Sequence, residues 1–170
     1  MNLADTPEEA AFRAELCEWL AQKGIQNVCP MNKGGSQFVA GLRVTMTDAR
    51  HSSGYVENGQ IIYMGEAAGF VLRLEDGRAI YFAGDTALFG DMRLIGEMYA
   101  PEIAFLPIGD RFTMDPVAAA KACELLGIRQ VVPMHWGTFP ALTGTPAQLK
   151  ALVEPRGIQV LELKPGETAE

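Results

Sequence analysis

The chain has 170 residues, of which 48% are hydrophobic and 21% are charged, as is ordinary for a soluble globular protein. This length suggests a single domain spanning residues 1–170 with a sizeable core. The net charge of −7 argues against a nucleic-acid partner, and no apolar run approaches the ~20 residues needed to cross a membrane.

The N-terminal stretch and the cysteines both favour a cytoplasmic protein. MNLADTPEEAAF lacks the basic and apolar regions of a signal peptide. Cys17, Cys29 and Cys123 are odd in number and show no paired spacing, which argues against a disulfide or zinc framework. We expect all three to be small buried groups in a reducing compartment.

The first half of the chain predicts one helix followed by antiparallel strands. Thr6, Pro7 and Glu9 form a helix start with a capping box, the apolar residues Phe12, Leu16, Trp19 and Leu20 recur on one face, and Gly24 stops the helix. Residues 42–47 alternate as a strand should. Residues 69–74 and 79–83 predict two strands joined by a hairpin, because the link contains an Asp-Gly pair.

The second half predicts alternating helices and strands. Helices are expected over 91–98, from Asp115-Pro116 to Gly127, and from Thr145-Pro146 to 153. Strands are expected over 103–106, at 131–132 and over 158–163. Antiparallel strands followed by this alternation indicate an α/β fold (α+β by some schemes), with a mixed sheet and flanking helices.

Three polar residues stand where predicted strands end. His51 follows residues 42–47, Asp85 follows 79–83, and His135 follows the strand at 131–132. Loops at one end of such a sheet converge, so two imidazoles and a carboxylate there would suit zinc or another transition metal. The alternatives stay open at this point: a structural histidine is more common than a ligand, and Gly-Asp-Thr is also ordinary turn chemistry.

Five blocks of sequence carry a resemblance to a known family. They are PMNKGG at 30–35, HSS at 51–53, AGFVLRLEDGRAIYFAGDTALFGDM at 68–92, LPIGDRFTMDPVAAA at 106–120 and VVPMHWGTFP at 131–140. Together they resemble the metal-dependent hydrolases of the metallo-β-lactamase superfamily, specifically the small UPF0173-type group related to ascorbate-phosphate lactonase. The resemblance implies the C-terminal portion of an αββα sandwich.

The resemblance also implies roles for the three polar residues. His51 would belong to the first metal site, Asp85 would be the carboxylate that bridges two divalent metals, and His135 would bind the second metal. Zinc is the expected metal, with manganese or another divalent ion as an alternative. Such a pair activates water for hydrolysis of an ester, lactone or phosphoester, which would be a small-molecule substrate. The residues that bind the substrate are not identified by the sequence, although Asp110, Arg111, Trp136 and Phe139 are candidates.

One family feature is absent from this sequence. The family's His-x-His-x-Asp-His motif has no counterpart, since the chain contains only two histidines. We therefore expect an N-terminally incomplete, truncated domain with very weak or absent activity, in which one ion could still use His51, Asp85 and His135. The alternative function is an inactive remnant that serves as an interaction or oligomerising module.

The missing segment also leads to a prediction about assembly. A sheet face carrying Val44, Phe70, Leu72, Ile80 and Phe82 would lose much of its cover. A homodimer, or a partner chain, is expected to cover that face.

Overall fold

The computed structural model describes residues 6–25 and 28–168, and its contacts divide the chain into two compact units, Met1–Pro30 and Met31–Glu170. The first unit contains helix α1, Pro7–Gln22. The Thr6 hydroxyl accepts from the Glu9 N–H, and the Glu9 carboxylate accepts from the Thr6 N–H at 2.7 Å, as the capping box predicts. No residue of Pro7–Gln22 is buried, so the apolar side chains of this helix are largely exposed.

The second unit contains nine strands and three further α-helices within its described residues. In chain order they are β1 (Ser36–Val39), β2 (Leu42–Asp48), β3 (Gly54–Glu57), β4 (Gln60–Tyr63), β5 (Ala68–Arg73), β6 (Ala79–Phe82), α2 (Met92–Tyr99), β7 (Ile103–Pro107), α3 (Pro116–Leu126), β8 (Gln130–Met134), α4 (Pro146–Val153) and β9 (Gln159–Val160). A short 3₁₀ turn, Glu154–Arg156, follows α4.

Seven of these strands form one mixed sheet, as the sequence predicts. Its order is β1-β2-β5-β6-β7-β8-β9, antiparallel from β1 to β6 and parallel from β6 to β9. Strands β3 and β4 pair separately as a hairpin. The predicted strand over 158–163 is too long, because only Gln159 and Val160 pair with β8.

Local sequence chemistry explains most of the element boundaries. The hairpin between β5 and β6 turns at Asp76-Gly77, where Gly77 has φ +88° and the Asp76 carboxylate accepts from the Arg78 N–H at 3.0 Å. Helix α3 is capped at its N-terminus by Asp115, whose carboxylate accepts from the Ala118 N–H at 2.7 Å, and at its C-terminus by the left-handed Gly127. Each turn or cap therefore lies where the sequence predicts it.

The core lies between helices α2–α4 and one face of the sheet. That face contributes side chains such as Val71, Tyr81, Ala104, Leu106 and Val131, all at most 1% exposed. On the opposite face, Val44, Phe70, Leu72 and Ile80 are only partly buried and Phe82 is 41% exposed. The sheet thus has one face that is covered by helices α2–α4 and an opposite face that is only partly covered.

Several expectations about individual residues need correction. Cys17 and Cys29 are exposed, so only Cys123 is the buried thiol expected, and its burial raises its pKa to about 12. No helix within the described parts of the chain has the length and apolarity that crossing a membrane requires. The single-domain organisation and the cytoplasmic location stay predictions.

Candidate functional site

Four strands end at the same edge of the sheet. Strands β6, β7 and β8 are parallel, and β2 runs in their direction because it is antiparallel to β5, which is antiparallel to β6. The residues that follow these four carboxyl ends are therefore brought to one edge. They include His51 after β2, Asp85 after β6, Asp110 after β7 and His135 after β8.

Asp85 and His135 are neighbours at this edge. Asp85 Oδ2 lies 3.7 Å from His135 Nε2, which is longer than a hydrogen bond. Two ligands of one tetrahedral zinc ion, each bonded at about 2.0–2.2 Å, stand roughly 3.4 Å apart. The spacing of this pair therefore suits two ligands of a shared metal ion better than a direct hydrogen bond.

The backbone around His135 is tightly constrained. His135 has φ +54°, a left-handed conformation that is uncommon for a residue with a side chain. A Cβ atom on Gly109 would lie 3.1 Å from His135 Nδ1 and would collide with the His135 carbonyl oxygen. Gly109 therefore allows the loop after β7 to lie directly against His135.

The second ring nitrogen of His135 has no partner among the described residues. Nδ1 is buried without a hydrogen bond. A histidine that binds a metal through one nitrogen normally donates the other N–H to a carboxylate, a carbonyl or water. His135 thus offers Nε2 toward Asp85, but it lacks the usual second contact that orients a ligand.

His51 is held differently from the other two residues. Its Nδ1 lies 2.8 Å from the carbonyl oxygen of Ser52, and its Nε2 lies 3.0 Å from the carbonyl oxygen of Phe112. A carbonyl oxygen only accepts, and a neutral imidazole carries one N–H, so a neutral ring satisfies one of the two contacts at a time. In this orientation both nitrogens face carbonyl oxygens.

The described residues do not assemble a complete metal site. Within residues 6–25 and 28–168, no group of three or more His, Cys, Asp or Glu side chains could hold a metal ion. Two of the three predicted ligands, Asp85 and His135, lie together, whereas His51 is engaged by backbone carbonyls. The role of all three residues as ligands stays a prediction.

A cavity of about 650 Å³ lies on one side of His51. Lys33 lines it and donates to both Asp48 and Glu66, while Arg50 pairs with Asp48 at 2.9 Å. The hydrogen bond from Lys33 lowers the pKa of Asp48, and the bonds to Asp48 and Glu66 raise the pKa of Lys33. Sequence reasoning missed this network, because its members are scattered over residues 33–66 without a recognisable spacing.

Two aromatic side chains lie on the loops that follow β7 and β8. Phe112 and Phe139 are 50% and 47% exposed, and their ring centroids are 6.1 Å apart. The Arg111 guanidinium lies 5.5 Å from the centroid of the Phe112 ring. By contrast, Trp136 is half-buried against the core and donates from Nε1 to the Pro133 carbonyl oxygen at 3.1 Å. Phe112 and Phe139 are thus the more accessible of these aromatic residues.

The turn after β7 contains an unusual backbone. Asp110 and Arg111 both have positive φ, at +64° and +49°. The Asp110 carboxylate accepts from the Thr143 hydroxyl at 2.9 Å. The Arg111 N–H and, next, the Thr143 hydroxyl lower the pKa of Asp110, so this carboxylate serves as an ionised acceptor.

Comparison with known proteins places the chain in a family. The beta-lactamase superfamily domain matches residues 6–136. A protein of Solibacter usitatus called a UPF0173 metal-dependent hydrolase is 55% identical over 161 residues, covering 95% of this chain and 70% of that relative. A protein of Koribacter versatilis with the same description is 51% identical over 154 residues, covering 91% of this chain and 65% of that relative.

A solved structure is also similar. Igni18, a metallo hydrolase from the hyperthermophilic archaeon Ignicoccus hospitalis, is 40% identical, with a TM-score of 0.75 and coverage of 91% of this chain and 65% of that chain. The present chain therefore spans about two thirds of the length of the relatives it matches.

Proposed function

The chain belongs to the beta-lactamase superfamily, within the UPF0173 metal-dependent hydrolases, and we propose that it contributes ligands to a zinc-type site that hydrolyses an ester or a lactone. A zinc ion lowers the pKa of its bound water and so supplies a nucleophile at neutral pH. The residues proposed to hold the metal are Asp85 and His135, with His51 as a third ligand after its ring has turned.

The observation that carries this proposal is the 3.7 Å spacing of Asp85 Oδ2 and His135 Nε2. The two residues follow different parallel strands, β6 and β8, and they meet across the end of β7. Such an edge is where ligands commonly bind in sheets of this type. The close approach of Gly109 to His135 supports the pair, since it restrains the histidine from the side of β7.

Charge near His51 favours a neutral substrate over a phosphodiester. Lys33 and Arg50, which line the neighbouring cavity, are both paired with Asp48, and Lys33 also bonds Glu66. These four charges sum to zero, so they offer little net attraction to an anion. The exposed rings of Phe112 and Phe139 would instead pack against an apolar acyl or alkyl group.

The test combines metal binding with hydrolysis, using the full chain purified without chelator. Zinc affinity and turnover of an aryl ester, a lactone and a phosphodiester are measured for the wild type, Asp85→Asn and His135→Ala. Asp91→Asn is the matched control, because Asp91 is exposed and its side chain makes no capping bond. We expect at least about a tenfold loss of zinc affinity in both site variants and none in the control.

Equal zinc affinity in the wild type and both site variants would contradict the proposed ligands. Turnover of the phosphodiester that exceeds turnover of the ester would contradict the proposed substrate class. Turnover by this chain is expected to be weak, because the described residues bring together only two of the three predicted ligands.

A second candidate function is a non-catalytic interaction or oligomerising module. It is favoured by one observation: both His51 nitrogens face backbone carbonyl oxygens, and the described ligand set is therefore incomplete. Under this alternative, the wild-type chain retains no zinc and shows no zinc-dependent turnover of any of the three substrates.

A further inference from the structure

We propose that Asp110 is a positioning residue that fixes the ring of His51 through the backbone carbonyl of Phe112. Asp110 does not act on substrate in this proposal. Its carboxylate holds the turn after β7, and that turn directs the Phe112 carbonyl oxygen at His51 Nε2. This is the orientation from which His51 must turn to bind the metal of the proposed function, so the link to catalysis rests on that function, whereas the positioning itself can be measured on the His51 ring.

The turn has a conformation that needs external support. Two consecutive residues with side chains, Asp110 and Arg111, adopt left-handed φ values. Aspartate tolerates this region better than most residues, but arginine does not, so the turn is strained. Inside the turn, the Asp110 carbonyl accepts from the Phe112 N–H, and the Asp110 N–H donates to the Met114 carbonyl at 2.9 Å. These bonds leave the Phe112 carbonyl available to His51.

The support comes from the segment between β8 and α4. The Thr143 hydroxyl donates to Asp110 Oδ2 at 2.9 Å, and the adjacent Gly144 N–H donates to the Gly109 carbonyl at 3.4 Å. A Cβ on Gly144 would collide with the Ile108 carbonyl oxygen, so the two segments are in direct backbone contact. The Asp110–Thr143 hydrogen bond thus links the strained turn after β7 to the segment between β8 and α4.

The path from Asp110 to His51 is short and specific. Phe112 is two residues from Asp110, and its carbonyl oxygen lies 3.0 Å from His51 Nε2. The other nitrogen of the same ring contacts the Ser52 carbonyl, which belongs to the neighbouring residue and does not depend on the turn. Loss of the turn therefore removes one of two competing acceptors, and the ring should shift toward the Nδ1–H tautomer that donates to Ser52.

Substitutions at Asp110 and Thr143 distinguish the effect of the hydrogen bond between these two residues from the effect of the backbone conformation at Asp110. Asp110→Asn keeps an acceptor oxygen and tolerates positive φ, whereas Asp110→Gly keeps the backbone freedom and loses the acceptor. Thr143→Val removes only the donor hydroxyl from a side chain of the same shape, and Thr143→Ser restores a donor. Asp91→Gly serves as the control for an aspartate-to-glycine change at an exposed site.

The measurement is the ¹⁵N spectrum of the imidazole rings, recorded at one fixed alkaline pH for the wild type and every variant. The chain contains two histidines, so the imidazole signals come from His51 and His135 alone. We expect Asp110→Gly and Thr143→Val to raise the Nδ1–H share of His51 severalfold. Asp110→Asn, Thr143→Ser and Asp91→Gly should reproduce the wild-type spectrum.

Two results would overturn the proposal. One is a His51 spectrum in Thr143→Val that equals the wild type. The other is an Asp110→Asn spectrum that shifts as far as that of Asp110→Gly. If Asp110→Gly fails to fold, Thr143→Val decides the question alone. If the variants shift the His51 tautomer but the wild-type chain binds no zinc, the positioning role of Asp110 stands and the proposed function is rejected.

Discussion

Alanine at position 109 should displace His135 and destabilise the fold. The added Cβ would lie 3.1 Å from His135 Nδ1, 3.2 Å from its carbonyl carbon, and far inside van der Waals contact with its carbonyl oxygen. The most severe overlap is with the carbonyl oxygen, a backbone atom, and this backbone is restrained next door by the hydrogen bond from the Ile108 N–H to the Met134 carbonyl at 3.0 Å. Overpacking of this kind costs about 1–3 kcal/mol in the free energy of unfolding.

The same collision should weaken the site. Relief of the overlap requires the His135 backbone to move by on the order of 1 Å, and a misplacement of that size at a reacting centre costs about 100-fold in rate. The displacement would carry Nε2 away from its position 3.7 Å from Asp85 Oδ2. We therefore expect zinc affinity and any zinc-dependent turnover to fall together.

Urea denaturation and zinc titration of Gly109→Ala, beside Gly90→Ala, test this reasoning. Gly90 is the matched control, because a Cβ at that position meets no atom within 4 Å. We expect Gly90→Ala to retain the stability and zinc affinity of the wild type. If the free energy of unfolding of Gly109→Ala lies within about 0.5 kcal/mol of the wild-type value and zinc binds equally well, His135 is not held by this contact.

Two further predictions concern the core and the open sheet face. Burial raises the pKa of Tyr81 from 10.0 to about 12, and a contact with the Thr47 side chain opposes this rise. The free energy of unfolding is therefore unaffected by this group below pH ~10 and falls by about 3 kcal/mol as the pH rises through about 12, because the unfolded chain loses the phenol proton first. In urea denaturation, Tyr81→Phe should reduce this alkaline loss and lie within about 1 kcal/mol of wild-type stability at neutral pH; a steeper alkaline loss would contradict the assignment. For the sheet face, we propose a homodimer, since covering the exposed 41% of Phe82 removes about 80 Å² of apolar surface, worth ~2 kcal/mol. Light scattering should show a dimer that Phe82→Glu weakens and Val117→Glu, on the exposed side of α3, does not; a stable wild-type monomer at micromolar concentration would exclude it.

Local chemistry made much of the fold predictable. The capping residues Thr6, Asp115 and Thr145 and the Asp76-Gly77 turn act within a few residues, so their effect can be read directly from the sequence. The hairpin of β3 and β4 was missed although Asn58-Gly59 is a strong turn signal, with φ of +50° and +77°. Its strands are exposed throughout and show no alternation of burial, so only the turn could have identified it.

The site was predictable only in part, for a physical reason. Positions at strand ends follow from the order of strands, and this is why Asp85 and His135 could be expected to approach each other. The orientation of His51 depends on a carbonyl 61 residues away, in a turn whose conformation is fixed by Thr143, another 31 residues along the chain. Contacts of this kind leave no periodic pattern in the sequence.

Backbone strain distinguishes the loops of the site from the other turns. Among the described non-glycine residues with positive φ, Ala40 and Asn58 lie in hairpin turns and Ala100 caps helix α2, so ordinary turn and cap geometry explains them. The remaining three are Asp110, Arg111 and His135, and they follow the adjacent strands β7 and β8. Such conformations persist only where the surroundings over-determine them. Here the surroundings are the backbone contacts made by Gly109 and Gly144, neither of which leaves room for a side chain. These contacts involve protein atoms alone, so the strained shape of the loops that carry Asp110 and His135 is explained by the packing of the two loops against each other.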